Sequence, residues 1–354
     1  MWNRTRVTEK LGIQYPIIQG PFGGGASSVS LLAAVSNAGG LGSFGAHYMT
    51  ATEIELLVAD IRAHTTKPFA INLWVKDHDG DGLSLSQPAF DRAYAVLKPY
   101  FDELGLAKPV SPGHFGQKFD EQIEGILKSA PSAFSFVYGI PSAELLRECK
   151  KRGILTIGTA ITPDEAVALD DAGIDMIVAT GFEAGGHRVA FLREAEDSLI
   201  GTLSLIPQVV DRVKAPVIAA GGIADGRGIK AVFALGAEAV PIGTAFLACD
   251  ESNAATLHKE KLFGAEAKYT ALTRVFTGRL ARGIENRILK EAQQHAGNFA
   301  PYPAQGWLIG HLKQAAVEQG RTDLMSLWCG QSAALLKHKK AEHLMDSLIK
   351  EMVL

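Results

Sequence analysis

Cysteine is scarce in this chain: Cys149, Cys249 and Cys329 are the three among 354 residues. Their number is odd, and they lie too far apart for the short spacings that hold a metal ion. This pattern argues against a cysteine-based metal site and against a framework of disulfides. We therefore expect three buried or idle thiols and no bound metal.

A strong charge of one sign is also missing. Lys and Arg number 35 and Asp and Glu 38, which gives a formal net charge of -3. Proteins that bind nucleic acids use a basic patch or stripe to neutralise phosphates, and no such stripe occurs. We expect a small molecule, and no nucleic acid, as the partner of this chain.

Long apolar runs are absent as well. None approaches the roughly 20 residues that a membrane-spanning helix needs. The start of the chain, residues 1–6, is polar and lacks the apolar segment of a signal peptide. We expect no membrane partner and a cytoplasmic location, and nothing in the sequence specifies an oligomeric state.

Short apolar runs alternate with amphipathic stretches along most of the chain. The runs are rich in Ile, Val and Phe without polar alternation, which is typical of parallel strands buried on both faces. Capping boxes at 50–53 and 162–165 start helices, and glycines such as Gly153 and Gly236 end them. The predicted strands are Pro16–Gln19, Leu41–Phe44, Phe69–Val75, Ala133–Tyr138, Ile154–Thr159, Met176–Thr180, Pro216–Ala220 and Ala239–Ile242.

Eight such strands with interleaved helices predict an α/β fold, a closed (β/α)8 TIM barrel. An open, doubly wound sheet is the alternative, but it usually places its phosphate loop after the first strand. A barrel takes about 250 residues, so we assign it residues 1–265. Residues 77–118 are predicted to be an insertion after strand 3, over the barrel mouth. Residues 266–354 are predicted to form a mainly helical C-terminal subdomain near the active site, with helical spacing at 307–319, 326–336 and 341–353.

Glycines follow the last two predicted strands. Gly221 and Gly222 end the strand in APVIAAGGIADGRG, and Gly243 and Thr244 end the strand in AVPIGTAF. Glycine lets backbone N–H groups approach an anion, and a helix N-terminus adds a favourable dipole. In barrels the loops after strands seven and eight often hold a phosphate. Tight turns would explain either site alone, but the two at neighbouring strand ends predict a phosphate site.

A histidine loop, GFEAGGHR, follows the sixth strand. Gly185 and Gly186 allow close backbone approach to a flat or bulky group, and His187 comes directly after them. An imidazole with an ordinary pKa near 6.5 can act as a base near neutral pH. Active sites of barrels lie at the carboxyl ends of strands. This setting favours a functional role for His187 over a histidine that is merely hydrogen-bonded in a loop.

Two further segments bring polar groups or bare backbone to strand ends. Asn72 lies inside the apolar run FAINLWV, where a buried amide needs partners. A structural bond to nearby backbone and a contact with a heterocyclic ligand both fit it. The glycine-rich run Gln19–Gly25 ends the first strand. It could pack against a flat ring or be only a flexible loop.

These segments together resemble the nitronate monooxygenase (2-nitropropane dioxygenase-like) family of FMN-dependent TIM barrels. The resemblance runs from about residue 11 to 290. Its segments are GIQYPIIQGPF, AAVSNAGGLGSFG, KPFAINLWV, FSFVYGIP, GFEAGGHR, VIAAGGIADGRG, GTAFLACDESNA and TGRLARGIENR.

The resemblance implies an FMN-binding barrel that uses a nitronate or a related acidic carbon compound and O2. An alkyl nitronate gives an electron to FMN, and oxygen completes the oxidation to a carbonyl compound and nitrite. His187 would be the base, or the residue that orients the substrate. The phosphate would bind Gly221, Gly222, Gly243 and Thr244. The rest of the implied cofactor site is Gly20, Pro21, Phe22, Asn72, Thr180, Gly181, Gly185 and Gly186.

The chain departs from the family pattern at four places. Phe22 stands where the family usually has Met, and Thr180 stands where it usually has Gln. Val137 replaces a His that the closest group carries on the fourth strand. Gly306 and Gly310 replace a Tyr and a Lys near the substrate. These departures predict an intact flavin site beside a remodelled substrate pocket.

Two other functions share parts of the pattern. NAD(P)H-dependent FMN reductases of the enoyl-ACP or quinone type share PIIQG, AGGLG, EAGGH and AAGGI. The insertion at 77–118 and TGRLARGIENR favour the monooxygenase. Non-redox barrel isomerases and synthases share the late glycines but do not need the GFEAGGHR loop. We therefore predict oxidation of alkyl nitronates, extending to nitroalkanes.

Overall fold

Parallel strands form the centre of the structure, a computed structural model that describes residues 2–353. Each predicted strand overlaps an observed one, and three further short strands lie outside the barrel. The strands are β1 Ile17–Gln19, β2 Gly42–Gly45, β3 Phe69–Trp74, β4 Ala133–Val137, β5 Leu155–Ala160, β6 Met176–Thr180, β7 Gly186–His187, β8 Val217–Ala220, β9 Val240–Ile242, β10 Thr270–Thr273 and β11 Ala281–Ile284.

Eight of these strands close into a barrel. Six pair in the order β2-β3-β4-β5-β6-β8, and β1 pairs with β9, all in parallel. Parallel bridges from Ile18 to Leu41 and from Ile218 to Ala239 join the two sheets at both edges. The predicted (β/α)8 barrel is confirmed.

Helices surround the barrel. The apolar faces of most of them, including α2, α3 and α14, pack against the outward-facing side chains of the strands in one large core. None of the described helices is long and apolar enough to cross a membrane. The helices are α1 Arg6–Leu11, α2 Val29–Asn37, α3 Ala51–His64, α4 Gln87–Glu103, α5 Phe119–Ser129, α6 Ala143–Lys151, α7 Pro163–Asp171, α8 Thr202–Val210, α9 Gly226–Ala234, α10 Thr244–Leu247, α11 Thr256–Leu262, α12 Arg287–Ala292, α13 Ala304–Glu318 and α14 Ala341–Val353.

One predicted capping box is complete and the other is only half formed. Thr50 and Glu53 bond reciprocally at the start of α3. At α7, Thr162 accepts from the Glu165 N–H, but the Glu165 carboxylate accepts from Ile161 N (2.8 Å) and Phe191 N (2.7 Å). The full capping box predicted there was wrong, because this buried carboxylate holds the segment that follows β7.

The insertion packs against the C-terminal stretch. Phe90 and Phe101 of α4 share a second core with Leu308 and Leu312 of α13. No residue of 77–118 lines the central cavity. The insertion therefore supports the C-terminal stretch, and no part of it forms the cavity wall.

The C-terminal stretch contains strands that the sequence did not predict. β10 and β11 pair antiparallel, and β11 pairs with β7. Residues 326–336 are mostly irregular, with a short 3-10 turn at Ala333–Leu335, so the helix predicted there was wrong. α14 packs on α9 and α2, and completes the helical layer beside the short α10. The boundary drawn at residue 265 stays a prediction.

Candidate active site

A cavity of about 570 Å³ opens at the carboxyl ends of the barrel strands. All but one of the site residues predicted from the sequence line it. They are Gly20, Pro21, Phe22, Asn72, Thr180, Gly185, Gly186, His187, Gly221, Gly222, Gly243 and Thr244.

Gly181 lies behind the cavity wall. Its N–H donates to Ala220 O (2.9 Å), and its carbonyl accepts from Arg188 Nη1 (2.7 Å). A Cβ at this position would approach Thr202 Oγ1 to 2.0 Å. Close packing inside the protein explains this glycine, and its position does not support a contact with a ligand ring.

The two late glycine loops form one end of the cavity. Gly221 (φ 96°) and Gly222 (φ 72°) adopt the left-handed backbone that glycine permits. Among the described residues, the N–H groups of Gly222 and Gly243 have no protein acceptor, and a Cβ on Gly243 would point into open space. These free donors beside the start of α10 suit a phosphate.

A C-terminal segment bridges these two loops. Gly330 N donates to Thr244 Oγ1 (2.9 Å), and Ser332 Oγ donates to Gly222 O (2.5 Å). Both residues line the cavity. The sequence analysis missed them because they lie some ninety residues beyond the barrel strands.

Buried contacts hold the histidine loop. Arg188 is 1% exposed, and its Nη1 and Nη2 donate to the carbonyls of Gly181 and Thr180 (2.7 and 3.1 Å). A Cβ on Gly185 would come within 2.6 Å of the backbone of Cys329 and Gly330. The chain's own C-terminal segment therefore explains Gly185, and these contacts fix the place of His187.

His187 stands in an aromatic surrounding. Its Nε2 lies 2.8 Å from Thr277 Oγ1, and its ring centroid lies 4.9 Å from that of Trp74 and 5.3 Å from that of Trp328. Burial, together with the nearby positive charge of Arg279, lowers the pKa of His187 to about 3. The imidazole is therefore neutral at pH 7, and one of its ring nitrogens keeps a lone pair.

The position of Asn72 is compatible both with a structural hydrogen bond and with a contact to a ligand. Its Nδ2 donates to Ser135 Oγ on β4 (3.0 Å), which is a structural bond. Asn72 and Ser135 also both line the cavity. The bond fixes the orientation of the amide at the cavity wall.

A buried arginine supports the wall opposite the glycine loops. The guanidinium of Arg279 lies 4.0 Å from the Tyr138 ring centroid and 4.2 Å from that of Tyr302. Its Nε donates to Asp79 (2.7 Å), which ties the insertion to this wall. Arg279 belongs to the segment TGRLARGIENR, and the resemblance of that segment to the family was the only feature of the sequence that pointed to it.

One face of α13 also lines the cavity, through Gly306, Ile309, Gly310 and Lys313. Lys313 Nζ donates to Gly24 O (3.3 Å), and among residues 2–353 no carboxylate forms an ion pair with it. Burial lowers the pKa of its ammonium. Glycine at 306 and 310 widens the cavity, and Lys313 supplies a cation one helical turn after Gly310.

Comparisons with known proteins agree with this architecture. A model of the nitronate monooxygenase family matches residues 4–351. A probable nitronate monooxygenase of Staphylococcus haemolyticus is 41% identical, with 99% of this chain and 98% of that protein covered. A protein of the same description from Staphylococcus aureus strain Newman is 40% identical, again with 99% and 98% covered.

Solved structures point the same way. A nitroalkane oxidase from Streptomyces ansochromogenes superposes with a TM-score of 0.89 at 36% identity and covers 99% of this chain and 98% of its own. FabK from Thermotoga maritima gives 0.76 at 30% identity, with 99% and 96% covered. With a family match over nearly its whole length, this chain belongs to the nitronate monooxygenase family.

Proposed function

We propose that this chain binds FMN and oxidises alkyl nitronates with O2 to a carbonyl compound and nitrite. Nitroalkanes become substrates once a base removes the proton next to the nitro group. The observation that carries the proposal is that His187, fixed by its contact with Thr277, lines the same cavity as a pair of glycine loops with free N–H donors.

The cavity offers a place for each part of FMN. The phosphate would be held by Gly221, Gly222, Gly243 and Thr244, and the ring would lie along the loop 20–22 and Asn72. FMN, when bound, supplies an acceptor for the electrons of the nitronate and a donor to O2. The protein supplies position, a dry surrounding and a base.

The hydrogen bonds of Thr277 favour one tautomer of His187. The Thr277 hydroxyl can donate to Arg279 O (3.3 Å), which leaves its oxygen free to accept from His187 Nε2–H. Nδ1 then keeps its lone pair, and among the described residues it has no protein partner. We infer that Nδ1 takes the proton from the carbon next to the nitro group.

The surroundings of His187 keep water from competing with the substrate. Trp74 and Trp328 pack on two sides of the imidazole. The Trp328 ring is backed by Phe276, at a centroid distance of 5.5 Å. A nitronate is already deprotonated and needs no base. Oxidation of nitroalkanes should therefore depend on His187 more strongly than oxidation of nitronates.

Turnover of purified, FMN-loaded protein tests the proposal. We expect nitrite release and O2 consumption with ethyl nitronate, and slower release with nitroethane. NADH and NADPH, given with a quinone acceptor in parallel, should support no turnover. Oxidation of NAD(P)H without nitrite release from either nitro compound would contradict the proposal and favour a flavin reductase.

A further inference from the structure

A second histidine lines the cavity, and the proposed function does not use it. His47 follows β2 by two residues and is 6% exposed. Its ring stacks on Trp74, with centroids 4.0 Å apart and planes 7° apart. Trp74 thus contacts two imidazoles, since His47 stacks on it and His187 meets it at an interplanar angle of 71°.

The strand register indicates where His47 lies relative to Val137 on β4. Gly45 of β2 pairs with Asn72 of β3, and Trp74 of β3 pairs with Val137 of β4. His47 and Val137 therefore flank Trp74 at the same level of the barrel, and both line the cavity. The segment after β2 therefore brings an imidazole to this level of the barrel.

The two ring nitrogens of His47 have different surroundings. Nδ1 is enclosed by protein and has no hydrogen-bond partner. Nε2 is not enclosed in this way, so it is the nitrogen that reaches the cavity. Among the described residues it also has no protein partner. A buried N–H without an acceptor is costly, so the proton belongs on Nε2 and makes it a donor toward the cavity.

We propose that His47 is a second substrate-binding histidine, whose Nε2–H donates to a nitro oxygen of the nitronate or nitroalkane. This inference rests on the proposed function. His187 acts at the carbon, and His47 holds the oxygen side of the same group. The two imidazoles in contact with Trp74 therefore divide the tasks of base and hydrogen-bond donor.

The surroundings of His47 fit this role. Burial lowers the pKa of His47 well below its ordinary value, and the positive charge of Arg279 acts in the same direction. The ring is therefore neutral and keeps one donor nitrogen. A Cβ on Gly23 would come within 2.5 Å of His47 Cε1, so glycine at this position leaves room for the imidazole.

Steady-state kinetics of His47→Phe and His47→Gln test the inference. Phenylalanine keeps an aromatic ring over Trp74 and removes the donor. We expect KM to rise about tenfold or more for ethyl nitronate and for nitroethane alike, with kcat for the nitronate near that of wild type. His47→Gln, which keeps an N–H donor, should recover part of the loss. His187→Asn should instead lower kcat/KM for nitroethane much more than for ethyl nitronate.

The outcomes separate the role of His47 from the proposed function. Unchanged KM values in His47→Phe, a loss confined to nitroethane, or a lower kcat at unchanged KM would each overturn the role of His47. Failure of wild type to oxidise ethyl nitronate would contradict the proposed function, and this inference with it. If His47→Phe does not fold, His47→Met gives the same test, because its thioether fills space without an N–H.

Discussion

The two ends of the central cavity are built in different ways. The end that we propose for the phosphate, here called the phosphate end, is formed by backbone groups of Gly221, Gly222 and Gly243, which lie within two residues of a barrel strand. At the substrate end, side chains such as His47 and Lys313 come from elements far apart in sequence. The phosphate end is therefore formed by residues close together in sequence and can be recognised from short motifs. The residues of the substrate end are brought together only by the tertiary structure.

The largest expected effect is a loss of nitroalkane turnover in a variant that still binds FMN. His187→Asn removes the base but leaves the glycine loops intact. We expect kcat/KM for nitroethane to fall about 100- to 10,000-fold, while ethyl nitronate oxidation and FMN content stay close to wild type. Nitrite assays with both substrates measure this, with His64→Asn on the exposed face of α3 as control. An equal loss with both substrates would mean that His187 is not the base.

A single methyl group added at Gly221 should weaken the binding of FMN at the phosphate end. A Cβ on Gly221 would lie 2.9 Å from Gly181 O, and its φ of 96° strains any other residue. We expect Gly221→Ala to weaken FMN binding about tenfold or more, measured by fluorescence titration of apoprotein.

Gly153 provides the matched control for Gly221→Ala. It has a φ of 71° and nothing within 4 Å of its Cβ direction, and it lies at the end of α6, away from the cavity. Gly153→Ala should lower stability without changing the affinity for FMN. Equal FMN affinity in Gly221→Ala and wild type would contradict the assignment of the phosphate site.

Acid should destabilise the substrate end through its buried histidines. Burial lowers the pKa of His258 to about 4, although Nε2 bonds Trp328 O (2.9 Å). Its contribution to stability is complete above the unfolded pKa of about 6.5 and is lost as the pH falls toward about 4. Between pH 7 and pH 5 the protonation of His258 in the unfolded state should lower the free energy of unfolding by roughly 2 kcal/mol. Urea unfolding at both pH values measures the loss, which should be smaller in His258→Gln. An equal loss in both proteins would argue against His258 as its source.

The smallest expected effect concerns the attraction of the anionic substrate. Lys313→Met keeps most of the side-chain volume and removes the charge. We expect a rise of a few-fold in KM for ethyl nitronate, no change for neutral nitroethane, and a weaker dependence on ionic strength than in wild type. Lys128→Met on exposed α5 is the control. A similar change for both substrates would point to lost packing rather than lost charge.

Sequence reasoning succeeded where local chemistry decides the structure. The barrel strands were predicted from continuous apolar runs, and the glycine loops at the strand ends do line the cavity, although phosphate binding there stays a prediction. It failed where long-range contacts decide. Ser326–Leu336 has helical spacing, yet Trp328 bridges Gly283 and Gly330 bonds Thr244. These tertiary contacts override the local preference for helix.

The substrate end shows the same limit at single residues. His47 has no signal in the run GSFGAHYM, because its role depends on stacking with a tryptophan from another strand. Lys313 was missed because the resemblance directed attention to Gly310, one turn earlier, as the position expected to hold a lysine. Only the folded helix brings Lys313 to the cavity.

The most direct test of the central claim is an anaerobic absorbance spectrum of the freshly purified protein, taken before and after ethyl nitronate or NAD(P)H is added in separate cuvettes. The account predicts a flavin band that the nitronate changes and NAD(P)H leaves untouched. Full bleaching by NAD(P)H, with no response to the nitronate, would contradict it, and so would protein without a flavin band.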